Sequence, residues 1–305
     1  MPTLQELSVL YAKKQPKQVD QLTEDSPILK VVPFEKSSHG LFNQYDEIVD
    51  VTGAGFVQLD QPLPVVKSES KLKKVDLSIM GGIAEVGEDK ATQYGGANKY
   101  FATKLPSILR KSGSDAERAI LYNNFLQYAK DNHKASAPML FDAGGTANSN
   151  YLIIAVRFVE GETTGLYDPS NFVAGSLLKV EAISGGAKYK DSTGRLVYGM
   201  SLKGYFGLQI ASKKTVSAIV NITKDTLPTA GMIDDLISNV HGNSSNTFLF
   251  MHDKALTLLN AYKGSQITYN NGDKEIDRRF GKWNGVPIVT SYNFNQGTEN
   301  KINVA

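Results

Sequence analysis

Residues 41 to 80 constrain the chain most, because they read as one long antiparallel pair whose limbs carry opposite charges. The outbound limb, Leu41 to Val51, holds Asp46, Glu47 and Asp50. The return limb, Leu72 to Met80, spaces Leu72, Val75, Leu77 and Ile79 mostly by two, and Lys67, Lys71, Lys73 and Lys74 lie on the way back. Between the limbs, Gly53-Ala-Gly55 and Pro62-Leu-Pro64 are breakers that suit a bend or a tip better than a buried central strand. Opposed limbs set acidic against basic side chains, each pair contributing a few tenths to about 1 kcal/mol. Such a hairpin has too few apolar side chains to form a core by itself. It either packs on its own domain or projects and lies on a neighbour.

The rest of the chain has the composition of a soluble, foldable protein: 305 residues, 41% hydrophobic and 21% charged, enough for one large core or two smaller ones. With 33 Lys plus Arg against 31 Asp plus Glu, the net charge is +2, too small to support a strongly basic DNA-binding face. The absence of cysteine excludes zinc fingers, cysteine proteases and disulfide frameworks. No basic-then-apolar leader follows Met1, and no segment approaches the ~20 apolar residues of a membrane span, so a cytosolic origin is expected. Sequons at Asn221 and Asn243 carry no meaning without a secretory route.

Leu4, Leu7, Leu10 and Tyr11 have helical spacing and precede a polar stretch, which suggests a short helix and a loosely anchored arm. Tyr100, Phe101, Leu105, Ile108 and Leu109 predict a helix that Pro106 kinks or restarts. Ser114-Asp-Ala-Glu117 matches a capping box that would open a second helix carrying Leu121, Phe125 and Tyr128 and ending near Asn132.

After residue 140 the pattern is mixed α/β. Strands are expected at Tyr151 to Phe158, Leu177 to Ile183, Arg195 to Gly199, Leu202 to Ile210 and Thr247 to Met251, with a turn at Asp191 to Gly194. Met232 to Val240 makes an amphipathic helix, and Asp253 is placed to cap another. Asn270-Asn-Gly272 is a turn, and Trp283-Asn-Gly285-Val is the strongest local hairpin signal, since Asn-Gly accepts the positive φ of a type I′ turn.

No chemical motif stands out. Gly199-Met-Ser-Leu-Lys-Gly204 lacks the Lys-Ser/Thr of a phosphate-cradling loop and sits in a strand pattern. His39, His133, His241 and His252 are isolated from one another, and there is no Gly-x-Ser-x-Gly elbow. The short basic stretches, Lys67 to Lys74 and Arg278-Arg279, read as solvated or subunit-facing surface. No catalytic, cofactor-binding or metal-ligating residue is assigned.

Motif order carries the reading further. Pro2-Thr-Leu-Gln-Glu-Leu, the charged hairpin, the Asp89-Lys90 helix start, the spine-like helices, Asp142-Ala-Gly-Gly-Thr146, Arg157-Phe-Val-Glu-Gly161, Asp168-Pro169 and Trp283-Asn-Gly-Val-Pro-Ile288 occur in that order. Together they resemble the major capsid proteins of tailed bacteriophages, with the Hong Kong 97-type (Johnson) fold. The resemblance implies an α+β chain with 1–38 as N-terminal arm and 39–82 as an extended β-hairpin, the E-loop. It implies a peripheral domain with a long spine helix at 83–140 and 282–305, and an axial α/β domain at 141–281.

The resemblance also implies partners. The E-loop would lie across an adjacent subunit, making Asp46, Glu47, Asp50, Lys67, Lys71, Lys73 and Lys74 candidate intersubunit contacts. Hexamers and pentamers would close an icosahedral shell in the virion, built in the host bacterial cytoplasm. A portal protein would join it, and a decoration protein is a further candidate partner. Contact with packaged double-stranded DNA would be weak and non-specific, with no cofactor and no membrane. Because the likeness starts almost at Met1, a separate scaffolding protein or an already mature chain is implied. An encapsulin-like nanocompartment shell and an unrecognised α/β enzyme or binding domain stand as alternatives.

Overall fold

Continuous apolar runs and alternating runs sort the strands into different sheets. The computed structural model describes residues 26–59, 61–134, 137–146, 148–170, 178–263, 281–295 and 297–304. The helix expected at 2–11, the Asn270-Asn-Gly272 turn and Arg278-Arg279 lie outside them. In chain order come β1 (Phe34–Lys36), β2 (Phe42–Thr52), β3 (Lys67–Asp76), β4 (Ser78–Gly87), α1 (Glu88–Gln93) and α2 (Ala97–Ala119). A π-helical stretch, Ile120–Leu126, leads from α2 into α3 (Gln127–Asn132). There follow β5 (Leu140–Asp142), β6 (Tyr151–Arg157), β7 (Thr163–Tyr167), β8 (Lys179–Ala182), β9 (Tyr189–Lys190), β10 (Leu196–Ile210) and β11 (Val216–Ile222). The last elements are α4 (Ala230–Asn239), β12 (Thr247–Met251), α5 (Asp253–Leu259), β13 (Lys282–Trp283) and β14 (Val286–Thr290).

The central sheet has the order β13-β14-β12-β6-β11-β5. Its middle strands are apolar on both sides, as a sheet covered on both faces requires. Ile154, Val156, Ala218 and Phe250 meet Leu121, Phe125 and Ala129 of the long helix, together with Ile28, Leu29 and Val32 from the N-terminal segment. On the opposite face Ile153, Ile219 and Leu249 pack on Ile233 and Leu236 of α4 and Leu256 and Leu259 of α5. Trp283-Asn-Gly285-Val forms the expected hairpin, with Asn284 at φ 48° and Gly285 at φ 83°.

The second sheet is built on β10, one 15-residue strand where two shorter ones were expected. One edge of β10 takes all of β4, and the other takes β9, β8 and β7 in turn, with β1 beyond β7. Its alternating pattern buries one face against α2, through Val86 and Met200 on Phe101 and through Leu178 and Leu202 on Leu105 and Leu109. The alternating strands of 179–210 join β4 beside α2, while 282–290 extend the central sheet beside β12.

Helical structure runs unbroken from Ala97 to Asn132 and passes through Pro106. The capping-box residues do not start a new helix, because tertiary contacts occupy both. Ser114 donates to Asn293. Glu117 is fully buried, and its Oε2 accepts the Ile28 and Leu29 backbone N–H groups at 2.9 and 3.3 Å. Its Oε1 accepts from Ser291 Oγ and from Asn293 Nδ2 at 2.8 Å. One carboxylate thus ties the N-terminal segment and the C-terminal loop to the helix. Burial pushes its pKa up, against the opposing pull of those hydrogen bonds.

The Asp142-Ala-Gly-Gly-Thr146 motif has a local cause. Asn221, at φ 58°, accepts the Ile302 N–H through Oδ1 and donates through Nδ2 to the Ile302 carbonyl and Asp142 Oδ1, each at 2.8 Å. A strand-like pairing by a side chain thus fixes the C-terminal segment. Gly145 lies so close that a Cβ there would stand 2.4 Å from the Asn221 carbonyl.

Candidate subunit-contact surface

The hairpin β2–β3 is a two-stranded sheet of its own, rooted in the body and, among the described residues, uncovered beyond the root. At the root the Leu77 N–H donates to the Leu41 carbonyl at 2.8 Å. Asn43 Nδ2 donates to Gln209 Oε1 at 2.6 Å, and Gln209 Nε2 donates in turn to the Gly161 carbonyl at 2.5 Å. The return limb is Lys67–Asp76, not Leu72 to Met80. Leu77 is buried and ends it, so Ser78 to Met80 belong to β4.

The register decides which side chains share a face, since directly opposed residues point the same way. Phe42↔Asp76, Gln44↔Lys74, Asp46↔Leu72 and Ile48↔Ser70 share one face. Asn43↔Val75, Tyr45↔Lys73 and Glu47↔Lys71 share the other. A bulge between Ile48 and Asp50 then aligns Asp50 with Glu69, Val51 with Ser68 and Thr52 with Lys67. One face therefore carries an exposed stripe of Ile48, Val51 and Leu72, and the other carries Glu47, Asp50, Lys67, Glu69, Lys71 and Lys73.

The opposed-charge expectation is met at only one of these positions, Glu47↔Lys71, and even there the close ion pair is diagonal, from Lys73 Nζ to Glu47 Oε2 at 2.7 Å. The Glu47 bond holds Lys73 charged to higher pH than usual. Asp50 faces Glu69, a like charge, because the bulge shifts the register by one residue. Asp46 faces Leu72, and Lys74 binds Asp76 at 2.6 Å while its ammonium lies 4.6 Å from the Phe42 ring centroid. The seven candidate residues thus fall on both faces, and exposed pairs of this kind contribute little.

On the charged face, burial raises the pKa of Tyr45. Burial also pushes Tyr128 of α3 up to about 12, helped by the nearby Tyr45 and Glu47.

Segregated charge does not point to the apolar tip. Phe56, Val57, Leu59, Leu63, Val65 and Val66 are all exposed. Across residues 53–66 the sequence has a single charged residue, Asp60. The signal was present as six large apolar residues among breakers. A solvent-facing loop has no reason to carry them unless another surface covers them.

The histidines have local structural roles. His39 stacks on Phe42 at 4.8 Å, His133 Nδ1 accepts the N–H groups of Met139 and Leu140, and His241 follows α4 at φ 51°. His252, rather than Asp253, caps α5 by accepting the Lys254 N–H at 3.0 Å, and Asp253 is the first helical residue. Among the described residues no three His, Asp or Glu side chains come together as a metal-binding group.

No protein-family model matches the sequence, and no curated protein is similar to it. Solved structures are similar in fold. A chain of the bacteriophage epsilon15 structure matches with a TM-score of 0.55 at 13% identity, covering 88% of this chain and 88% of that one. A chain of the bacteriophage JBD30 capsid matches with a TM-score of 0.54 at 10% identity, covering 90% of this chain and 92% of that one. With its hairpin, long helix and two sheets, the chain has the Hong Kong 97-type fold of these phage chains.

Proposed function

We propose that this chain is the major capsid protein of a tailed double-stranded DNA phage and that many copies close into the icosahedral shell of the virion head. One observation carries the reading: on a fold shared with phage capsid chains, a rooted hairpin exposes an apolar stripe and an apolar tip that the described residues of its own chain leave uncovered. Many copies supply the missing cover, and small contacts gain strength by repetition over a closed shell.

Under this reading the subunit is structural and not an enzyme, and it forms hexamers and pentamers in the host bacterial cytoplasm. A separate scaffolding protein guides the curvature, a portal occupies one vertex, and a decoration protein is a further candidate partner. The +2 charge suits a wall that touches packaged DNA weakly and without sequence preference. Asp46, Asp50, Lys67 and Lys71 remain the charged contact candidates, while Glu47 and Lys73 first satisfy each other, as do Lys74 and Asp76.

Electron microscopy of the chain expressed with its scaffold tests the reading. Shells or ring-shaped capsomers are expected, and a persistent monomer would refute it. Deleting residues 53–66 should leave a folded subunit that no longer assembles.

A further inference from the structure

Positive charge is concentrated on one side of one helix. Helix α2 carries Lys99, Lys104, Arg110, Lys111 and Arg118 against Asp115 and Glu117, so its own excess of positive charge is larger than the +2 of all 305 residues. At 3.6 residues per turn all five basic residues fall on the side opposite Leu105, and all five are exposed. Glu117 does not offset them at the surface, because it is buried and held by four donors. Asp115 binds Lys111 at 2.6 Å, an exposed pair that costs little to exchange for another anion. Lys99 and Lys104 have no ion-pair partner among the described residues.

The basic side continues past the π-helical stretch. Arg118 donates to Asn295 and lies 5.6 Å from the Tyr122 ring centroid, and both of these partners line a polar cleft of about 590 Å³. Lys130, His133 and Lys301 line the same cleft, and its carboxylate, Glu299, is engaged by the Tyr122 hydroxyl. Lys130 and Lys301 also have no ion-pair partner among the described residues. His133 Nδ1 accepts the Met139 and Leu140 N–H groups, so the neutral ring carries its proton on Nε2 and has a donor there.

We infer that this side of the long helix, from Lys99 to the cleft at Lys130 and Lys301, is where the shell wall meets the phosphate backbone of packaged double-stranded DNA. The inference rests on the shell reading and deepens it by naming the surface. Lys99 to Arg118 span about 28 Å of helix. An equal length of duplex offers about 16 phosphate charges, more than the face can engage. Contacts of this kind position a duplex without reading its bases, as a wall around any genome sequence requires. A protein partner fits the face less well, because a protein interface has an apolar centre. The one exposed large apolar side chain of α2, Ile108 at 37%, turns instead to a cleft lined by Gly82 and Ile83 of β4. The basic side offers charge without an exposed apolar anchor.

The test measures binding of the full-length subunit to a duplex of about 30 base pairs, by fluorescence anisotropy at several salt concentrations. Lys99→Gln, Lys104→Gln, Lys130→Gln and Lys301→Gln together, all at exposed positions, should keep the melting temperature of the subunit. They should lower affinity at least about tenfold at about 50 mM salt and make the slope of log affinity against log salt shallower by about 3 to 4. Lys213→Gln, Lys214→Gln, Lys254→Gln and Lys282→Gln together remove the same charge from exposed positions outside the long helix and the C-terminal segment, and should stay within about threefold of the parent. Equal losses in the two variants, or no loss in the first, would overturn the inference, and shells of the parent seen by electron microscopy would leave the shell reading standing. If the first variant binds DNA as the parent does but forms no shells with the scaffold, the face serves an acidic protein and the inference fails. If the parent never assembles, both fall.

Discussion

The central sheet and the hairpin are both β structure, yet they meet opposite fates in one chain. Strands β6, β11 and β12 are covered on both faces by helices, and their inner residues have almost no exposure. Strands β2 and β3 have cover at the root only, and Ile48, Val51 and Leu72 stand in solvent. A two-stranded sheet is at best marginal by itself in water. The difference separates the part of the chain that folds for itself from the part that, under the proposed shell reading, another copy completes.

The largest expected effect lies in the self-sufficient part. Phe125→Ala removes a fully buried ring between Phe158 and Phe250 and should destabilise the free subunit by about 3–5 kcal/mol, read from its urea midpoint. Glu117→Gln comes next. An amide cannot accept from all the donors the carboxylate holds, so a loss of about 1–3 kcal/mol is expected, with faster proteolysis near residues 26–32.

The Glu117 substitution also sharpens the pH dependence. The pKa of Glu117 in the folded protein lies above its ordinary 4.5. Its favourable contribution is therefore complete below about pH 4.5 and is lost as pH rises through the raised value. Unfolding at several pH values should show this trend in the parent and not in Glu117→Gln. The smallest effect on the free subunit belongs to the hairpin. Ile48→Ser with Leu72→Ser should change its stability by no more than about 0.5 kcal/mol while particle yield collapses. An equal loss of subunit stability would show that the hairpin packs on its own domain.

Local signals were legible where one residue's chemistry decides the backbone. Asn284-Gly285 accepts positive φ and makes the expected turn, and the apolar run Leu152 to Val156 lies in a buried strand. Signals that depend on distant partners misled. Ser114 and Glu117 look like a helix start, but their partners come from residues 28–29 and 291–293, far away in sequence. Met200 and Ser201 fall between two expected strands, yet β10 runs through them because β4 and β8 pair with it there.

Reading of the contact surface was partial for the same reason. Segregated charge located the hairpin, but the register is set by a bulge that composition does not reveal, and it sends Asp50 to Glu69. The apolar tip is visible in the sequence, but the segregated charge of the limbs does not point to it. Its residues matter as a group only when the hairpin is seen to stand clear of the body.

Amide hydrogen exchange on the dissociated subunit and on assembled particles tests the central claim most directly. The account predicts that amides of β6 and β12 are protected in both states, whereas those of β2 and β3 exchange rapidly in the free subunit and become protected in the particle. Equal protection of the hairpin in both states would contradict it.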